Sequence, residues 1–109
     1  REVTVLPKNM KKEQGDLLYE TILSLKDLDE CKKFFSDLCT MAELRAMEQR
    51  FEVALLLSDG MIYNDILERT GASSATISRV NRALNYGADG YKQVLPRAKE
   101  LRQRTEEDA

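Results

Sequence analysis

From Gly71 to Tyr86 the chain reads GASSATISRVNRALNY, with two arginines, five hydroxyl-bearing residues and no carboxylate. Elsewhere acids are plentiful: Asp and Glu outnumber Lys and Arg by 19 to 17, and a third of all residues are charged. The chemistry open to such a stretch is recognition of a polyanion. Guanidinium groups attract phosphates and can hold guanine bidentately, while short side chains let a backbone approach closely and their hydroxyls reach base edges or phosphate oxygens. Bond-making chemistry has little support. The sequence contains no histidine, so it lacks the commonest general base and metal ligand and any Ser-His or Cys-His nucleophile system. Cys31 and Cys39 do not form a C-x-x-C pair and are expected to pack as buried thiols rather than to bind metal or form a disulfide. No enzyme activity, cofactor or metal is therefore expected. The net charge of −2 excludes a uniformly basic coat, so any nucleic-acid contact must use a local patch.

A reading surface needs a support, and the surrounding pattern predicts one. With Gly71 at a turn, Ile66 and Leu67 lie one helical turn before it. Ile77 and Val80 then share one face of the following helix, three residues apart. These apolar residues can brace two helices at the angle of a helix-turn-helix spanning about Tyr63 to Tyr86. Gly71 permits positive φ, Ala72 is small enough for a tight crossing, and Ser73 or Ser74 caps the second helix. The face opposite the apolar pair carries the expected DNA contacts: Ser73, Ser74, Ala75, Thr76, Ser78, Arg79 and Arg82, joined by Asn64 from the first helix.

The rest of the chain reads as helix, apart from the β-branched run Val3, Thr4 and Val5. Leu18, Ile22 and Leu25 recur at helical spacing over about Lys11–Leu25, across a weakening Gly15. A second segment, about Asp29–Leu38, carries Cys31, Phe34, Phe35 and Leu38, with Asp29 as its cap. Thr40 to Glu43 forms a T-x-x-E capping box ahead of Leu44, Met47, Phe51, Ala54 and Leu55, and Gly60 closes that helix. A last helix starts near Gly90, and Pro96 is expected to kink or split it. The polar tail 102–109 is expected to fray. Residues 1–109 thus read as a single all-α domain. No apolar run reaches a membrane span and no signal-peptide pattern opens the sequence, which predicts a cytoplasmic protein without a membrane partner. A second basic stretch, Lys92, Arg97, Lys99, Arg102 and Arg104, could touch flanking phosphates or simply be solvated.

Three segments carry a family likeness: LCTMAELRAMEQRFEVALLLSDG at 38–60, ERTGASSATISRVNRALNYG at 68–87 and GYKQVL at 90–95. Together they resemble the tryptophan repressor family, and within it the YerC/YecD branch of Trp-repressor-related proteins. The resemblance implies an intertwined all-helical homodimer whose two heads read a roughly palindromic operator in double-stranded DNA. It also implies half-sites about one helical turn apart, the general spacing of helix-turn-helix dimers, among which the Trp repressor is a standard case. Leu17, Leu18, Ile22, Phe34, Phe35, Phe51 and Leu55 form a large apolar set for so short a chain, and exchange between subunits would bury them.

By the same resemblance, Thr40, Arg50 and Arg79 match positions that hold tryptophan in the family's founding member. The two arginines would flank the indole, and Arg79 would also meet the carboxylate. Val80 stands where that family's glycine gives the ligand room, and Ala83 where a serine holds its amine. The extra isopropyl narrows the slot, and the missing hydroxyl costs about 1–3 kcal/mol for an unpaired buried ammonium. The expectation is a regulator, a repressor in type, that does not use tryptophan. Two alternatives stand beside it: a repressor controlled by another small ligand at the Arg50 and Arg79 cleft, and a helical dimer that works by protein–protein contact without DNA.

Overall fold

The computed structural model describes residues 7–108, with side chains from Gly15 onward. Six helices follow one another: α1 (Pro7–Leu23), α2 (Leu28–Leu38), α3 (Met41–Ser58), α4 (Tyr63–Thr70), α5 (Ser74–Tyr86) and α6 (Gly90–Asp108). The described residues contain no strand. The expectation for Val3, Thr4 and Val5 lies outside them. The chain divides into two compact units, residues 1–41 and Ala42–Ala109.

In the first unit, α1 runs through Gly15 and stops at Leu23, two residues before the predicted end. There the Ser24 amide donates to both Glu20 and Thr21 carbonyls, and the Ser24 hydroxyl donates to the Thr21 carbonyl at 2.6 Å. The cap of α2 is Asp27, not Asp29. Its carboxylate accepts the Glu30 amide at 2.8 Å, and Glu30 reaches back to the Lys26 amide at 3.0 Å. Asp29 sits in the first turn of the helix, where its charge suits the positive end of the dipole and pairs with Lys33 at 3.0 Å. Phe34 and Phe35 meet edge to face, with centroids 5.4 Å apart. Cys31 and Cys39 are free thiols and only half-buried, not buried as expected. No described side chain of this unit is fully buried, and Leu17, Tyr19, Leu23, Leu28 and Leu38 are exposed.

The second unit has a core. Val53, Ala54 and Leu56 of α3, Ile66 of α4, Ala72 of the turn that follows it, Ile77 and Val80 of α5, and Leu95 of α6 are buried together. α3 starts one residue after Thr40, as the capping box predicts. It ends in a Schellman motif: Gly60, at φ +89°, donates to the Leu57 carbonyl and Met61 to the Leu56 carbonyl. The apolar stripe expected on α3 divides: Ala54 is in the core and Leu55 packs half-buried against it, whereas Leu44 and Met47 are half-buried outside the core and Phe51 is exposed.

α6 departs from the sequence reading twice. It is continuous through Pro96, and the tail from Arg102, expected to fray, is helical to Asp108. Pro96 is exposed, so the Lys92 carbonyl that loses its i+4 donor lies on the solvent side, where loss of that bond is least costly. The helix is also tethered. Lys99 donates to Ser58 Oγ at 2.7 Å and pairs with Asp59 at 3.2 Å, and Arg102 reaches Asp59 at 3.4 Å. Partial desolvation raises the Asp59 pKa, but the hydrogen bonds and charges of Lys99 and Arg102 outweigh it and hold the carboxyl below its ordinary value.

Candidate nucleic-acid interface

The candidate site is built on α4, a three-residue turn and α5. Gly71 closes α4 with φ +73°, and its amide donates to the Leu67 carbonyl. Thr70 stiffens the corner: its hydroxyl donates to the Ile66 carbonyl at 2.7 Å and accepts the Ala72 amide at 3.0 Å. Of the two possible caps, Ser73 serves, its Oγ accepting the Thr76 amide at 3.1 Å and donating to the Thr76 hydroxyl at 3.0 Å. Ile66 and Ile77 are 0% exposed and Val80 1%, with Leu67 half-buried beside them, so the predicted aliphatic brace is in place. Ala72 is buried in the turn between the two helices.

The opposite face of α5 is open. Ser74, Ala75, Ser78, Arg79 and Arg82 are exposed, as are the cap Ser73 and, on the first turn of α4, Asn64; Thr76 is half-buried under its hydrogen bonds to Ser73. Neither Arg79 nor Arg82 forms an ion pair among the described residues, so both guanidiniums are available to an external anion. At its far end α5 stops at Gly87, where a Cβ would collide with the Ala83 carbonyl. The link to α6 then passes through Asp89, a non-glycine residue at φ +71°.

Beside the reading face lies a cleft of about 330 Å³ between α3 and α5. Ala46, Gln49 and Arg50 line one wall and Ala75, Thr76 and Arg79 the other, each set spaced as one helix face. The cleft thus combines two guanidiniums, an amide and a hydroxyl, and no carboxylate. Arg50 and Arg79 meet here as the sequence suggested, but the other three residues grouped with them do not line the cleft. Val80 is turned into the core, Ala83 is exposed elsewhere on α5, and Thr40 is an exposed residue of the first unit. Gln49 was not anticipated. Its amide nitrogen donates to the Thr70 carbonyl at 3.2 Å, a link between residues 21 apart that no local pattern announces.

The second basic stretch divides. Lys99 and Arg102 are engaged with Asp59, and Lys92 pairs with Asp89 at 3.8 Å, while Arg97 and Arg104 are exposed. Among the described residues no cluster of His, Cys, Asp or Glu could hold a metal ion, and no helix is long and apolar enough to cross a membrane.

Two helices braced across a short turn, the second presenting an exposed polar face free of acids, have the arrangement of the helix-turn-helix class of DNA-binding folds. The chain belongs to the Trp repressor protein family, a family of DNA-binding regulators, whose sequence profile matches residues 13–99. It is 56% identical over 85 residues to the uncharacterised protein YerC of Bacillus subtilis (strain 168), covering 78% of this chain and 82% of that one. Its fold matches the crystal structure of a TrpR-like protein from Eubacterium eligens ATCC 27750, with 53% identity and a TM-score of 0.78 over 84% of this chain and 95% of that one. It also matches a candidate Trp repressor from Staphylococcus aureus, with 38% identity and the same TM-score over 88% of this chain and 96% of that one.

Proposed function

We propose that the protein is a sequence-specific transcription regulator, a repressor in type, that binds operator DNA as a homodimer in the cytoplasm and does so without tryptophan. The observation that carries this reading is the outer face of α5: exposed hydroxyls, Arg79 and Arg82 with no acid among them, on a helix held from behind by buried Ile66, Ile77 and Val80. Short side chains toward the N-terminal end of α5 allow a major groove to close on it. The arginines one and two turns further on supply phosphate or guanine contacts. The homodimer is supported by apolar surface that one chain leaves open: Leu17, Leu23, Leu28 and Leu38 in the first unit and Leu44, Met47 and Phe51 of α3 in the second. On this view residues 1–109 act as one domain whose first unit is completed by its partner.

Independence from tryptophan is supported by residue type at two positions the family resemblance singles out, Val80 in place of a glycine and Ala83 in place of a serine, which has no hydroxyl to offer an amine; in the structure Val80 packs in the core, and neither residue lines the Arg50 and Arg79 cleft. The cleft between Arg50 and Arg79 favours a second reading, in which a different anionic small molecule tunes DNA binding. Selection of sites from a randomised duplex pool, followed by titration at several salt concentrations, tests the main reading. A recovered palindromic motif bound with a steep salt dependence is the expected result. Absence of any salt-sensitive binding to selected or random duplex would leave a dimer that works through protein contacts alone. Calorimetric titration with L-tryptophan should give no heat of binding, and micromolar affinity would overturn ligand independence.

A further inference from the structure

We infer that Gln49 is a positioning residue for the reading head: its hydrogen bond to the Thr70 carbonyl fixes the helix-turn-helix corner against α3 and thereby sets sequence discrimination. The inference rests on the DNA-reading role of α5. Thr70 is the last residue of α4, and its carbonyl is one of the terminal acceptors that a helix cannot satisfy internally. The Ala72 amide turns to the Thr70 hydroxyl, and no backbone amide of the described residues pairs with that carbonyl. The donor comes instead from Gln49, on an 18-residue helix that contributes Val53, Ala54 and Leu56 to the core. The same side chain lines the cleft opposite Thr76 and Arg79. One amide therefore spans from the scaffold to the corner that aims α5, next to the first arginine of the reading face.

The remaining contacts across this corner are apolar or internal to it. Buried aliphatic side chains hold two helices together, but they tolerate small sliding and rotation better than a directional hydrogen bond does. Phosphate attraction survives such motion, whereas base-edge contacts need side chains held to within a fraction of an ångström. Loss of the Gln49 bond should therefore weaken binding to the correct site more than binding to random duplex, while the fold and the dimer persist.

The test compares wild type with Gln49→Met, which keeps length and helix propensity but cannot donate, and Gln49→Lys, which restores a donor at similar reach. Two readouts are needed. Amide hydrogen exchange at Gly71 and Ala72, without DNA, reports the corner. The ratio of affinities for the duplex selected by wild type and for a scrambled duplex of the same composition reports discrimination. A uniform charge effect of the lysine cancels in that ratio. We expect Gln49→Met to speed exchange at the turn and lower the ratio about fivefold, the effect of one ordinary hydrogen bond, with Gln49→Lys returning both toward wild type. Unchanged exchange in Gln49→Met would overturn the tether. Faster exchange with an unchanged ratio, or failure of the lysine to restore it, would overturn the positioning role. If wild type itself shows no preference for its selected duplex, DNA reading fails and the positioning role with it, while the exchange data still report the tether separately.

Discussion

Replacing Arg82 by Ala separates reading from folding. Arg82 is exposed on α5 and makes no ion pair among the described residues, so its removal should change stability by no more than about 0.5 kcal/mol. Its whole effect should then appear on DNA, and a two-fold dimer loses the side chain at both half-sites. If Arg82 meets a phosphate, two fewer phosphates are neutralised, and the slope of log affinity against log salt should become shallower by about 1.8 for selected and random duplex alike. If instead it reads a guanine, each half-site loses roughly 1–3 kcal/mol and the loss falls on the selected duplex alone. Fluorescence anisotropy with both duplexes over a range of salt concentrations distinguishes the two outcomes, and sedimentation checks that the dimer survives. Unchanged affinity and unchanged slope on both duplexes would refute α5 as the reader. So would a loss of binding that tracks dissociation of the dimer.

Three further predictions concern the frame that holds the reader. Ile77→Ala deletes a fully buried side chain and should lower stability by about 2–5 kcal/mol in denaturant unfolding. The turn glycines should rank: Gly71→Ala meets only the cost of positive φ, about 1 kcal/mol, because the space around it is open, whereas Gly87→Ala also drives a Cβ into the Ala83 carbonyl and should cost more in the same assay. Asp59 has its folded pKa held below its unfolded value by Lys99 and Arg102. Its stabilising contribution should be fully present above about pH 4 and lost as pH falls through the folded pKa, so wild type and Asp59→Asn should converge in acid.

Local grammar made the reading head legible. A glycine at the turn, a serine before the second helix and aliphatic residues at three-residue spacing each act within a few positions, and all appear where the pattern put them. The same grammar misplaced the cap of α2 by two residues, because Asp27 and Asp29 are chemically equivalent as caps and only the path of the chain selects between them. It also ended the last helix too early. The ties that hold it, Lys99 and Arg102 to Asp59, join residues more than 40 positions apart, and no periodicity foretells them. Gln49 escaped for the same reason. On an exposed-looking stretch of helix it reads as a polar surface residue until the turn is seen folding back against it.

Val80 bears most directly on how such a head could dispense with a corepressor. A small ligand that tightens DNA binding must stabilise the binding-competent orientation of the reading helix over others, and it can shift that balance only by its differential affinity for the two states. A side chain of the protein can supply the same bias permanently. Val80 packs its isopropyl group with Ile66 and Ile77 beneath α5, and Gln49 ties the corner to α3 from the other side. With both in place, the competent orientation would already be the populated one, and an occupant of the Arg50 and Arg79 cleft would adjust affinity rather than create it. Val80→Gly then becomes informative in a specific way. It should lower DNA affinity and speed exchange at the turn amides, and an amino-acid ligand that restores both would reveal that the valine had taken over the ligand's mechanical part. If Val80→Gly destabilises the fold yet leaves the affinity of the folded fraction intact, buried packing at this position does not set the orientation of the reader.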